Sequence, residues 1–485
     1  MVTREAGTRG RLSRFAGELI VPGGRGYDEA RSLYNGMYDK RPTLIARCTS
    51  AEDVSVALAY ARENGLVVAV RGGGHSTQGF SSCDGGVVID TGPIKGIAVD
   101  RDARTGRFGA GLTWGELDAA TQAHGLAVTG GRVSHTGVAG LTLGSGSGWL
   151  ERTLGYTCVS LISAEVVTAD GAILRASAEE HPELFWGLRG GGGNFGVVTK
   201  FEFRLHRIGP LMLAGRIWYP RAVAGALARF YRDVMEGAPD DIGGALRFVT
   251  APSAEFVPRE HRGRPACLLL MIFFGDPGGG GKKARALLSW GRPWAKLVGP
   301  TPYLELQRGA DDQHRWGSRE YSRVDYLDWL PDPAIDALVD CAPDASSPLS
   351  SVMLCPLGGA VSRLDRSTVA LNTPDTPWMY YTVATWQQPS EDERQLAWAR
   401  RFMRMMRPWS VGVAPANFIE LDEGTARLRA YYGEEKLARL TALKDTYDPD
   451  DVFALNQNIP PSARTSGPFP DAGKPRAGEQ SAHAN

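Results

Sequence analysis

Along the first two hundred or so residues the spacing of apolar positions alternates between a period near 3.6 and a period of two, which predicts short helices and strands in turn. Residues 27–38 read as a helix, and Pro42 separates them from the strand-like Thr43-Leu44-Ile45-Ala46. Ser50 with Asp53 forms a capping-box signal, and Val54, Ala57, Leu58 and Ala61 then repeat on one helical face until Asn64-Gly65 ends the helix. Residues 66–70 and 85–90 follow as strands, and Thr113 with Glu116 caps a further helix that stops at His124-Gly125. Asp170-Gly171 lies between two apolar runs, the pattern of a two-residue hairpin. Pro182 starts a short helix through Leu188, and Val197, Thr199, Phe201, Phe203 and Leu205 alternate as a strand does. The resulting class is α+β.

In the middle of the chain, residues 211–219, 245–250, 267–274, 351–356 and 379–386 read as strands. Helical stretches at 222–236, 282–290 and 391–407 interrupt them, which predicts an antiparallel sheet backed by helices, with turns at 275–281 and 299–302. Residues 462–485 are polar and nearly free of apolar side chains, and are expected to be disordered. A chain of 485 residues exceeds what one core supports, so two domains are expected. Lysine plus arginine and aspartate plus glutamate both number 54, so no net field draws the chain to nucleic acid or an anionic membrane surface. The six cysteines are scattered without a Cys-x-x-Cys, and neither a signal-like apolar stretch near the start nor a membrane-length run occurs, which fits a cytoplasmic location.

Three glycine-rich stretches carry the chemistry. Val70-Arg71-Gly72-Gly73-Gly74-His75-Ser76 follows a strand, and glycines without a Cβ let backbone N–H groups close on a bulky anion such as a pyrophosphate. His75, directly after them, has a nitrogen able to act as base, ligand or nucleophile, and no metal-binding partners accompany it in sequence. The second stretch, residues 131–148, interleaves glycine with Val138, Leu141 and Leu143, which a flexible linker would not carry. The third contains Gly191, Gly193 and Gly196 in a formal G-x-G-x-x-G, but a strand rather than a helix follows, so it is no dinucleotide fingerprint. A Walker A loop is absent as well. Three such loops in one αβ region imply a large nucleotide cofactor held in another way.

Taken with Ser134-His135-Thr136-Gly137, the block from Leu184 to Val198, and the C-terminal run from Tyr447-Asp448-Pro449 to Leu455-Asn456-Gln457-Asn458-Ile459-Pro460-Pro461, these stretches resemble the berberine-bridge-enzyme-like FAD-linked oxidases, within the vanillyl-alcohol-oxidase or PCMH-type flavoprotein superfamily. The resemblance implies a PCMH-type FAD-binding domain of two αβ subdomains, residues 1–205 completed by a return at 416–461, and an inserted substrate domain at 206–415. It implies that His75 bonds covalently to the flavin. By the same resemblance Arg71, Gly72, Gly73, Gly74, Ser76, Gly79, Val133, Thr136, Gly137, Gly140, Thr142, Gly146, Gly148, Val198, Asn456 and Asn458 line the FAD. Val133 stands where many relatives carry a second, cysteinyl link, so one covalent bond is expected; Val133 and Thr136 also flank the side from which dioxygen would arrive.

The implied activity is oxidation of a bulky secondary metabolite such as a polyketide or alkaloid intermediate, with hydride passing to flavin N5 and dioxygen taking the electrons. A redox-neutral cyclase or isomerase that keeps FAD as structure is the alternative. Relatives place a tyrosine base two residues before the pair matched by Asn417-Phe418, whereas here that residue is Pro415. Tyr326, Tyr380 and Tyr381 are the candidates to replace it, with Asn417 beside them; adjacent Tyr380 and Tyr381 on one strand face opposite ways, so one of them should meet the substrate.

Overall fold

The computed structural model describes residues 12–342, 347–372 and 374–464. Its N-terminal part holds two larger sheets and a two-stranded pairing of Leu126–Ala127 with His206–Arg207. In the four-stranded one, Leu44–Arg47 and Val68–Arg71 both pair in parallel with Val87–Asp90, and Glu18–Ile20 adds an antiparallel edge. The helix Ala51–Glu63 links the two parallel strands as the apolar spacing predicts, and Ser50 Oγ accepts from Asp53 N–H at its start. Its buried face, Val54, Ala57, Leu58 and Ala61, packs on Leu44, Ala46, Val87 and Ile89.

The second sheet orders Ile97–Asp100, Thr105–Gly109, Val197–Arg204, Leu161–Val167 and Ile173–Ser177 antiparallel. The expected hairpin around Asp170-Gly171 is present, but its loop is wider than two residues: Val167 pairs with Ile173, and Thr168 N–H donates to Ala172 O. Thr113 and Glu116 form the expected capping box of helix Trp114–Gln122.

Seven antiparallel strands make the largest sheet, running in space as Ala295–Pro302, Leu211–Pro220, Pro265–Phe273, Ile242–Thr250, Ser351–Pro356, Trp378–Trp386 and Arg319–Leu327. Alternation along each strand sends one set of side chains, including Trp378, Tyr380 and Leu246, into a core shared with helices Ala224–Glu236, Asp332–Cys341 and Asp392–Met406. The other set, including Ala245, Val324, Cys355 and Tyr381, packs toward Trp149 and Leu150, directly after the second glycine stretch.

Several expectations are corrected. Residues 27–38 are helical only over Tyr27–Arg31. The turn expected at 299–302 lies inside the strand Ala295–Pro302, because Leu211–Trp218 pairs with it along its whole length. Part of 275–281 is the helix Pro277–Lys283, started by a proline at its first position. Of the tail expected to be disordered, Ser462–Arg464 forms a 3-10 turn, and residues 465–485 lie outside the described residues. All six cysteines are buried and none is in a disulfide. Among the described residues no helix is long and apolar enough to cross a membrane.

Candidate active site

The three glycine stretches meet around one cavity of about 380 Å³. Gly72, Gly73 and Gly74 leave the end of strand Val68–Arg71, with Gly74 at φ 67°, where a side chain would be strained. The second stretch folds as a six-residue helix, Val138–Leu143, between irregular segments, and its start abuts the first loop backbone to backbone. A Cβ on Gly73 would lie 2.4 Å from Gly137 N, and one on Gly137 would lie 2.4 Å from Gly73 N. Gly192, Gly193 and Gly196 complete the wall, with Val198, Asn456 and Gln457.

His75 stands at the junction. Its Nε2 lies 2.7 Å from Nδ1 of His135, and its ring stacks on Tyr34 with centroids 4.1 Å apart. Tyr34 donates to Glu320 Oε2, which also contacts His314 Nδ1 at 3.2 Å. Burial, and then the neighbouring His135, pull the His75 imidazole down to about 3, so near neutral pH it is uncharged and keeps a nitrogen lone pair. Burial alone would push the Glu320 carboxyl up; hydrogen bonds from His314, Tyr34 and Ser322 outweigh it and hold the group at about 2. The seven-stranded sheet therefore presents a fixed anion to the histidine junction through Tyr34.

At the other side of the cavity stands Tyr381. Its hydroxyl lies 3.3 Å from Arg132 Nη1 and 3.2 Å from Ser147 Oγ, and its ring meets Phe418 edge-on at 5.2 Å. Arg132 is stacked over Trp149 at 4.9 Å and over Tyr381 at 5.5 Å, and pairs with buried Glu151 at 2.6 Å. Burial pushes the Tyr381 phenol up to about 12 against the pull of Arg132.

The residues singled out in the sequence are thus distributed unevenly. Gly72, Gly73, Gly74, His75, Ser76, Val133, Thr136, Gly137, Gly140, Gly146, Val198, Asn456, Asn417 and Tyr381 line the cavity. Arg71 turns its guanidinium to Ala30 O and the Trp316 ring. Thr142 spends its hydroxyl on Val138 O, and Asn458 points to Asp451 at 3.3 Å. Gly79 and Gly148 are packing positions, where a Cβ would meet the Tyr38 ring and Gly130 O. Tyr380 faces Phe402 on the helical side, and Tyr326 is fully buried without lining the cavity. Tyr34, Arg132, His135, Glu151, His314 and Glu320 were missed. His135 and Arg132 sit inside a stretch already singled out, while Tyr34 and Glu320 meet across 286 positions with no local signal.

Residues 42–177 match the family model for a FAD binding domain, and residues 416–460 match the model described as berberine and berberine like. A protein of Bacillus subtilis (strain 168) named as an uncharacterised FAD-linked oxidoreductase, YgaK, is 30% identical over 466 residues, 93% of this chain and 99% of that one. The chain is a berberine-bridge-enzyme-like FAD-linked oxidoreductase. (R)-6-hydroxynicotine oxidase of Paenarthrobacter nicotinovorans is 40% identical to this oxidoreductase over 205 residues, 42% of this chain and 45% of that one. The crystal structure of 6-hydroxy-D-nicotine oxidase from Arthrobacter nicotinovorans has the same fold, with TM-score 0.82 and 27% identity over 92% of this chain and 98% of that one.

The cavity fits the FAD that this oxidoreductase family uses. On its wall, a Cβ at Gly140 or Gly193 would meet no protein atom within 4 Å, so open space lies in front of both backbones. Asn456 Oδ1, also on the wall, is a buried acceptor without a partner in the protein. Glycine backbone on three sides with an unspent amide acceptor suits a large ligand that is both flat and polar.

Proposed function

We propose that this oxidoreductase oxidises a bulky, largely apolar small molecule, a secondary metabolite of the polyketide or alkaloid kind, with FAD attached covalently through His75. In this reading residues 1–205 and 416–461 hold the cofactor, and 206–415 supply the substrate side. The observation that carries it is the single cavity in which His75 and the three glycine loops share a wall with Tyr381, Met353 and Val383 of the seven-stranded sheet. Bound FAD would accept hydride at N5 and pass the electrons to dioxygen.

The chain's own residues divide the remaining work. Neutral His75, oriented by His135 and the Tyr34 ring, offers the nitrogen for attachment. Gly73, Gly74 and Gly137 offer backbone to the cofactor's phosphates. Tyr381 takes the place of the tyrosine that Pro415 displaces: Arg132 beside its oxygen favours the phenolate against the burial that raises the phenol to about 12, and that phenolate takes the substrate's proton as hydride leaves. Val133 and Thr136 keep small side chains on the wall, leaving room for dioxygen, and Val133→Phe should slow reoxidation of the reduced enzyme in air.

Acid denaturation tests the attachment. Flavin should stay with the polypeptide on a peptide containing His75 and no cysteine, and yellow colour released entirely into the supernatant would refute it. Anaerobic bleaching of the flavin by candidate aromatic intermediates tests the reaction. A flavin that stays oxidised through product formation would favour the redox-neutral cyclase, a reading for which Pro415 and the raised Tyr381 phenol already speak.

A further inference from the structure

A second cavity, about 250 Å³, lies on the same face of the seven-stranded sheet as Tyr381. Its apolar walls are Trp149, Leu268, Leu270 and Leu306, and its charged residues are Arg216, Glu305 and Arg247. Arg216 and Glu305 are 3.9 Å apart and offset each other, so Arg247 sets the sign of the site.

Arg247 is short of partners. Its Nη2 donates to Gln313 Oε1 at 2.7 Å and approaches Ser351 Oγ at 3.4 Å, while its Nε is buried with no hydrogen-bond partner. Three nearby arginines are compensated: Arg132 by Glu151, Arg323 by Glu423, and Arg152 by the carbonyls of Ile242, Leu357 and Ala238. Among the described residues no carboxylate forms an ion pair with Arg247, and burial disfavours its charged form. A guanidinium cannot shed its proton, so a desolvated one without a counter-ion is a standing cost that an anion would relieve.

Register places this cation relative to the active site. Arg247 pairs directly with Met353, and Met353 directly with Tyr381, so the three share one face in one row. Two strand spacings put Arg247 about 10 Å from Tyr381. Met353 and Arg132 line the first cavity, and the Trp149 ring, stacked on Arg132, lines the second. The two cavities therefore adjoin across Met353 and the Arg132–Trp149 stack.

We propose that the second cavity is the outer compartment of the substrate site, and that Arg247 on its wall binds a carboxylate carried on an apolar scaffold that reaches back toward Tyr381, two strand spacings or about 10 Å away along the sheet. This rests on the oxidase reading above for the location of the reacting end. It narrows the substrate class from bulky and apolar to amphipathic, with one terminal acid.

The probe pair is 4-phenylbutyrate and its neutral amide, titrated calorimetrically into the flavin-loaded enzyme at low salt. The acid should bind on the order of tenfold to a hundredfold tighter, the usual span for a charge-assisted hydrogen bond. Arg247→Gln should erase that preference, and Arg247→Lys should retain part of it, with flavin content and melting temperature confirming that each variant folds. The same titration followed in the visible should shift the flavin band. Equal binding of acid and amide to the wild type, no measurable binding of the acid, or a preference preserved in Arg247→Gln would each overturn the proposal. A carboxylate preference with an unmoved flavin band would overturn its placement beside the flavin. Calorimetry reads no redox step, so failure of the oxidase reading would show separately, as a flavin that no substrate bleaches.

Discussion

Tyr381 and Tyr380 are consecutive, yet the pleat sends one to Arg132, Ser147 and the cavity and the other to Phe402 and the helices. Tyr381→Phe should therefore lower turnover by about 10²–10⁴-fold with flavin still bound, the span of general acid–base catalysis, whereas Tyr380→Phe should leave turnover within about twofold. Stopped-flow measurement of flavin reduction separates the two. Glu420 makes a prediction of a different kind. It is buried next to the cavity's C-terminal wall, and burial, joined by Glu423 and Asp422 against the pull of Ser322 N–H and Arg323, raises its carboxyl to about 8. A carboxyl raised above its unfolded value of 4.5 adds stability that is complete below that value and drains away as pH climbs toward 8. Glu420→Gln, which mimics the protonated form, should thus raise the melting temperature at pH 8.5 relative to wild type and change it little at pH 4.5. Equal effects at the two pH values would refute the assignment.

At the scale of elements, the first two glycine loops meet backbone to backbone with no room for a Cβ on either side. Gly137→Ala forces its new methyl onto Gly73 N, and overpacking of backbone costs about 1–3 kcal/mol or more, so thermal stability and retained FAD should both fall. Gly140→Ala is the control. It adds a better helix former to Val138–Leu143 and meets no protein atom, so stability of the flavin-free protein should hold or rise while affinity for FAD drops. Capped helices such as Ala51–Glu63 and five of the seven strands of the large sheet were legible in sequence because capping and periodicity are local, whereas Arg319–Leu327, with Arg319, Glu320, Arg323 and Asp325 along it, was not read as a strand. Ala295–Pro302 was not, since Gly299, Pro300 and Pro302 suit a turn until Leu211–Trp218 pairs with them. The cavity wall around His75 was legible from its glycines and histidine taken together with the family resemblance. Its clamp of Tyr34, Glu320 and His314 was not, because a contact across 286 positions leaves no trace in spacing.

Across the whole molecule, the C-terminal return is held by buried ion pairs, Lys444 with Asp448 and Asp451 among them. Lys444 and Asp448, both fully buried, meet at 2.6 Å, and Lys444 also donates to Asn194 O in the third glycine loop and to Phe453 O. Lys444→Met leaves a buried carboxylate uncompensated, so stability should fall by about 3–5 kcal/mol in a denaturant melt, with FAD binding weakened alongside it. The burial of all six cysteines reaches further. In the oxidase reading proposed above, the enzyme hands electron pairs to dioxygen and works in the peroxide it makes, and peroxide attacks thiolates. Here burial pushes Cys83 up to about 11 and Cys158, Cys267 and Cys355 up to about 12, and raises Cys48 as well, so almost no thiolate is offered. After prolonged turnover, thiol titration in denaturant should still count six: a catalyst whose service life is limited by its substrate supply and not by its own exhaust.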